Sequence, residues 1–136
     1  MANRTLVEAV EHDKLVRTLA EHYRSLGYNN IRADLSDWTQ PVLIEGTKQN
    51  HIPDVTCQKN DLRRTPIIAE VETGSTISDN HTASQWSLFR DAATKAGGEF
   101  HLMVPSGIDR QPGQNVASKR LKLLRLDAEE IWVPKN

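Results

Sequence analysis

Hydrophobic positions recur with helical spacing at the start of the chain. From about Thr5 to Leu26 apolar residues return every three or four positions, which keeps them on one face of a helix. Thr5 and Glu8 have the spacing of a capping box, and Gly27 is a typical residue after a helix end. The pattern predicts a first helix with an inward stripe of Val7, Val10, Leu15, Leu19, Tyr23 and Leu26.

Strand-like patterns follow this helix. Ile31, Ala33 and Leu35 alternate with polar residues, as in a strand with one buried face. Residues 41–46 either continue this strand or pair with it. Residues 51–58 and 65–73 are joined by a polar stretch, and this arrangement predicts a β-hairpin.

The second half of the chain adds two helices and two strands. Ser78 or Asp79 can cap a second helix, which Gly97-Gly98 ends. Residues 100–104 predict a fourth strand, residues from about 114 to 126 a third helix, and residues 131–133 a short last strand. The predicted class is α/β, with the order αβββαβ and a C-terminal helical tail. A strand, a helix and another strand need a crossover, so the central sheet should be mixed and flanked by helices.

Three acidic residues fall on the predicted hairpin. If the turn is centred on Leu62, Asp54 lies opposite Glu70, and alternation places Glu72 on the same face as Glu70. Directly opposed residues have Cβ atoms about 4.5–5.5 Å apart, and like charges there repel each other. Such a cluster needs a cation, a shared proton or open water. A divalent cation would turn the repulsion into binding.

A solvated polar face is the other interpretation of these carboxylates. The nearly continuous apolar residues Ile67, Ile68 and Ala69 indicate that the second hairpin strand is central and partly buried. Buried carboxylates without partners are energetically costly. We therefore favour a metal site.

Composition narrows the class of protein. The 136 residues suit one domain over residues 1–136, and no apolar run approaches the roughly 20 residues that span a bilayer. Cys57 is the single cysteine, and amphipathic sequence rather than a signal core follows the first residues, so a cytoplasmic location is expected. The net charge of −1 counts against a nucleic-acid binder, although an acidic site can offset a basic rim.

Two short motifs carry a resemblance to a known family. Ile52-Pro53-Asp54, followed after a gap by apolar residues leading into Glu70-Val71-Glu72, resembles the motif of the PD-(D/E)XK nuclease-like superfamily. That group includes many type II restriction endonucleases and the archaeal Holliday-junction resolvases. Its common core has the αβββαβ order, so the resemblance covers roughly residues 5–105. It implies a restriction-endonuclease-like fold and a metal-dependent endonuclease that hydrolyses DNA phosphodiester bonds.

The resemblance also implies a set of site residues. Asp54 and Glu70 would ligate Mg²⁺ or Mn²⁺, with the Val71 carbonyl as a further oxygen ligand. Hard oxygen donors of this kind suit Mg²⁺.

Two supporting positions are implied with alternatives. Glu11 matches the place where resolvase-like members contribute an extra acid; Glu8 is a rival, and either could simply favour the helix N-terminus. Gln85 matches a glutamine that several members place close to the metal site, and its alternative role is an ordinary surface amide.

Glu72 departs from the family pattern, which usually has lysine there, although some restriction enzymes carry glutamate. A glutamate can serve as a general base or as a ligand of a second metal, but it cannot supply a positive charge. Two functions follow: a nuclease, or a catalytically inactive member that binds nucleic acid or a protein partner.

Partners are predicted from charge and size. The basic residues that could contact DNA phosphates, or merely solvate exposed faces, are Arg63, Arg64, Lys119, Arg120, Lys122 and Arg125. One domain offers one site, so a homodimer is expected if both strands are cut. The histidines lack zinc-ligand spacing. By strand alternation His51 lies on the face opposite to Asp54, and we interpret it as a loop or edge residue.

Overall fold

The computed structural model of the chain describes residues 5–135. The predicted domain boundaries also take in residues 1–4 and 136, which lie outside this description. The elements are α1 (Leu6–Ser25), β1 (Asn29–Ala33), β2 (Val55–Gln58), β3 (Pro66–Val71), α2 (Asn80–Lys95), β4 (Glu99–Met103), β5 (Gly107–Ile108), β6 (Gln111–Pro112), α3 (Gly113–Leu124) and β7 (Glu130–Trp132).

A mixed sheet of five strands forms the centre of the structure, in the order β1-β2-β3-β4-β7. β1, β2 and β3 are antiparallel neighbours, whereas β4 runs parallel to β3 and β7 runs parallel to β4. The helices α2 and α3 make the crossovers between the parallel strands. The predicted α/β class and mixed sheet are therefore confirmed.

Each face of the sheet has its own apolar core. On one face α1 packs on β1, β2 and β3, and Ile67, Ala69 and Val71 point towards it. On the other face α2 and α3 pack against Phe100 and Leu102 of β4. This division confirms the alternation predicted for β3.

Caps define the helix ends. The capping box of Thr5 and Glu8 is present at the start of α1, and the Asp79 side chain accepts from the His81 N–H at the start of α2. Gly27 and Gly97 follow α1 and α2 with φ of 77° and 70°, the left-handed conformation that glycine adopts most readily.

Several predicted details are wrong. Val7 and Val10 are 77% and 62% exposed, because the buried stripe of α1 begins only at Leu15. Residues 41–46 form no strand and make one isolated bridge, between Ile44 and His51. The β5–β6 ladder was not predicted, because a strand of two residues is too short to show a periodic pattern in the sequence.

The hairpin register agrees with a turn centred on Leu62. Val55 pairs with Ala69, and Gln58 pairs with Pro66. The ladder begins at Val55 rather than at residue 51. The register places the beginning of β2 beside the end of β3, which is where the three acids occur.

Candidate functional site

Asp54 and Glu70 lie together at this end of the hairpin. Continuing the register by one residue from the Val55–Ala69 pair places Asp54 opposite Glu70. The Asp54 N–H donates to Glu70 Oε1 at 3.1 Å, and the Val71 N–H donates to Asp54 Oδ2 at 2.8 Å. Both residues are buried, with 7% and 4% exposure. The two carboxyl groups thus share a poorly hydrated space.

The electrostatics of the pair are unequal. Burial, followed by the charge of Asp54, raises the pKa of Glu70 well above its ordinary value. Burial is the largest influence on Asp54 and would raise its pKa. The hydrogen bond to His12, the charge of His12 and the hydrogen bonds with Glu70 and the Val71 N–H together outweigh it, and the net shift is downward. Of the two carboxyl groups, Asp54 therefore loses its proton first and Glu70 keeps its proton to higher pH.

Glu72 lies on the α2 side of β3. Thr76 Oγ1 donates to Glu72 Oε1 at 2.7 Å, and Trp86 Nε1 donates to Oε2 at 3.3 Å. Glu72 is 1% exposed, and its charge contributes to the raised pKa of Glu70. Its carboxylate is therefore held in place by hydrogen bonds to neutral side chains.

The other predicted site residues occupy different positions. Gln85 is buried on α2, directly before Trp86, and its Nε2 lies 3.4 Å from His51 Nδ1. Glu11 is exposed on α1. The roles of Glu11 and of the Val71 carbonyl as metal ligands stay predictions.

His12 is a site residue that the sequence reasoning missed. Its Nε2 lies 3.3 Å from Asp54 Oδ2, and its Nδ1 lies 3.2 Å from Asp13 Oδ1. Extending the buried stripe of α1 back by one turn from Leu15 and Val16 leads to His12. A histidine on the inward face of α1 was the signal that could have identified it.

His51 lies outside the named strands, in the isolated bridge with Ile44, which agrees with the prediction of a loop or edge residue. Alternation requires a regular strand, and residues 51–54 precede the ladder of β2. The His51 ring lies against α2, with its centroid 5.2 Å from that of the His81 ring and 6.3 Å from that of the Phe89 ring. Together with its contact to Gln85, this places His51 over the start of α2.

The candidate DNA-binding residues are divided between two regions. Arg63 and Arg64 are exposed in the hairpin turn, at the opposite end of β3 from Glu70. Arg120 of α3 is half-buried and donates to the Ser78 carbonyl at 3.3 Å. Ser78 belongs to the loop that joins Glu72 to α2, so Arg120 contacts the segment that directly follows the acids.

The described residues contain no preformed cluster of the usual metal-binding side chains. Within residues 5–135 no group of three or more His, Cys, Asp or Glu side chains is arranged to hold a metal ion. The same part of the chain contains no helix with the length and apolarity needed to cross a membrane.

Comparisons with known proteins return no match, whether the chain is set against family models, curated proteins or solved structures.

Proposed function

We propose that this chain is a metal-dependent endonuclease with a restriction-endonuclease-like core, and that it hydrolyses DNA phosphodiester bonds. The observation that supports this most directly is the buried Asp54–Glu70 pair where β2 begins and β3 ends. The residues resemble the PD-(D/E)XK motif, and the order of α1 to β4 is the αβββαβ order of that superfamily.

The donor set is compatible with a hard cation. Mg²⁺ is usually bound through one or two carboxylates, several waters and substrate phosphate, so a third acidic side chain is not required. Asp54 and Glu70 would hold the ion, with the Val71 carbonyl and Glu11 as further candidates. Mg²⁺ or Mn²⁺ bound there would polarise a phosphate oxygen and lower the pKa of a bound water.

The raised pKa of Glu70 supports the same interpretation. A proton on Glu70 relieves the repulsion between this carboxyl group and its two acidic neighbours, which is why its pKa is raised. A cation would relieve it too, and binding would then release the proton. Metal affinity should accordingly increase with pH.

The chain's own groups have distinct roles in this proposal. Glu72 is the candidate general base, and Thr76 and Trp86 hold its carboxylate. Gln85 would position a substrate or water group beside it. Arg120 and the exposed Lys119, Lys122 and Arg125 of α3 would contact phosphates. Cleavage of both strands of a duplex would require a homodimer.

A cleavage assay tests the proposal. Duplex, branched and single-stranded DNA are incubated with the chain in Mg²⁺ or Mn²⁺ and in chelator. Asp54→Ala and Glu70→Ala should lose cleavage while retaining the native circular dichroism spectrum. Glu45→Ala, which removes an exposed carboxylate, is the control. Equal cleavage by all four proteins would defeat the proposal.

A catalytically inactive member of the same fold, binding nucleic acid or a protein partner, is the second candidate. The hydrogen bonds that occupy both oxygens of Glu72 favour it, because a carboxylate engaged in this way is less available to accept a proton as a base. Calorimetry with Mg²⁺ and Mn²⁺ separates the two candidates. Absence of both metal binding and cleavage would support the inactive module.

A further inference from the structure

A second polar cluster lies on the α1 face of the sheet, around His101 of β4. His101 is 1% exposed, and its Nδ1 lies 2.6 Å from the Tyr23 hydroxyl of α1 and 3.1 Å from Trp132 Nε1 of β7. Its Nε2 lies 2.9 Å from Glu99 Oε1. We call Tyr23, Glu99, His101 and Trp132 the His101 network.

The donors of this network define the tautomer of His101. An indole N–H can only donate, so the Nδ1 that faces Trp132 must carry a lone pair. The proton of the neutral ring is then on Nε2, from which it is donated to Glu99. The Tyr23 hydroxyl donates to Nδ1 and accepts from Trp132 Nε1 at 3.2 Å. Every polar hydrogen thus has an acceptor while His101 is neutral.

We propose that the His101 network is an acid-sensitive set of hydrogen bonds, which holds β7 against β4 and α1 only while His101 is neutral. A proton on Nδ1 would face the indole N–H of Trp132 and require the Tyr23 hydroxyl to reverse. Trp132 then loses one of its two acceptors. Since β7 is a three-residue strand at the edge of the sheet, this loss should loosen it.

Charged and titratable groups surround the network on several elements. Glu99 also accepts from Lys59 Nζ at 2.7 Å, beyond the end of β2. The His22 ring of α1 packs edge-on against Trp132, with centroids 4.7 Å apart.

Three further groups have weaker electrostatic effects on the network. The Cys57 thiol of β2 and the Tyr28 hydroxyl after α1 act on Tyr23, and the Glu130 carboxylate of β7 acts on both Tyr23 and His101. Glu99 and Glu130 favour a charged His101, whereas burial and Lys59 disfavour it.

Burial has the larger effect and lowers the pKa of His101, with Glu99 opposing it. The native state therefore binds fewer protons at this site than the unfolded state. The stabilisation of β7 by the network is complete above the ordinary histidine pKa of about 6.5, and it is lost as the pH falls towards the lowered native pKa.

The test follows Trp132 by NMR between pH about 7.5 and about 4.5, on both sides of the ordinary histidine value. The Trp132 indole N–H signal should shift or broaden in acid, while that of Trp38, which packs against the Arg24 guanidinium, serves as the internal reference. Hydrogen exchange should show β7 opening up to about tenfold more for each pH unit between the ordinary histidine value of about 6.5 and the lowered native value, as expected for one proton.

Variants identify the responsible histidine. His101→Gln should abolish the pH response of β7, whereas His22→Gln should retain it. If His101→Gln does not fold, Trp132→Phe supplies the test, because removing one donor to Nδ1 should raise the pKa of His101 in an NMR titration. A response that persists in His101→Gln, or one that disappears in His22→Gln, would overturn the proposal. So would an unchanged titration in Trp132→Phe, or a ring protonated on Nδ1 at neutral pH.

Discussion

Two clusters of buried ionisable groups lie on neighbouring strands and differ in how their charges are compensated. In the His101 network, neutral donors and acceptors match one another, and the Glu99 carboxylate accepts hydrogen bonds from both His101 and Lys59. At the end of β3, Glu70 is buried close to two other carboxylates, and its pKa is raised well above the ordinary value. The strands are adjacent, since Ala69 pairs with His101 and Glu70 pairs with Leu102.

This difference is the basis for proposing different roles for the two clusters. A matched network stabilises one arrangement, because a missing partner would leave a polar group buried and unsatisfied. A cluster of like charges destabilises the fold unless a cation or a proton compensates it, and strongly shifted pKa values are concentrated at functional sites. The contrast is the reason why we propose metal binding for Asp54 and Glu70 and a structural role for the His101 network.

The largest expected effect concerns metal affinity. Glu70→Gln should weaken Mn²⁺ binding more than about 100-fold, since even the outer partners of metal sites contribute 10–100-fold. Isothermal titration calorimetry measures this directly, with Glu45→Gln as the exposed control. Unaltered Mn²⁺ affinity in Glu70→Gln would remove the electrostatic distinction between the two clusters.

Removing a donor to Glu72 should have the next largest effect. Thr76→Val deletes the hydroxyl that donates to Glu72 Oε1, and the cost should be about 1–3 kcal/mol of unfolding free energy. Thr82→Val is a matched control, because Thr82 is equally buried and its hydroxyl has no hydrogen-bond partner among residues 5–135. Urea denaturation should show little loss, or a gain, for the control. Equal losses in both variants would contradict a specific role of Thr76.

The like charges also predict a pH dependence of stability. A carboxyl group whose native pKa is raised binds more protons in the folded state, so folding becomes less favourable as the pH rises above the ordinary value of about 4.3. Glu70→Gln mimics the protonated form and should remove this loss. Its stability relative to the unaltered chain should rise by up to about 1.4 kcal/mol per pH unit until the native pKa is passed. Parallel stability curves from urea denaturation at several pH values would contradict a raised pKa.

The smallest effect is expected at the edge of the His101 network. Lys59→Met removes the 2.7 Å ion pair with Glu99, but both side chains are partly exposed. Ion pairs of this kind contribute about 0–1 kcal/mol, so thermal unfolding should change little. A loss larger than that of Thr76→Val would show that Glu99 depends on Lys59 much more than the geometry indicates.

The sequence by itself determined the local structure and the geometry within the hairpin. The spacing of Thr5 and Glu8 identified the start of α1, and the polar stretch around Leu62 identified the register that brings Asp54 opposite Glu70. These features depend on contacts between residues close in the chain, where helical and strand periodicities apply.

Only the tertiary structure decided which side chains surround those acids. His12 approaches Asp54 across 42 residues of sequence, and Trp132 approaches Tyr23 across 109. Periodicity predicts the face on which a side chain lies, but its partner and depth depend on how α1, α2 and β7 pack against the sheet. Those two quantities determine the desolvation and the hydrogen bonds of a carboxylate or an imidazole, and hence its charge.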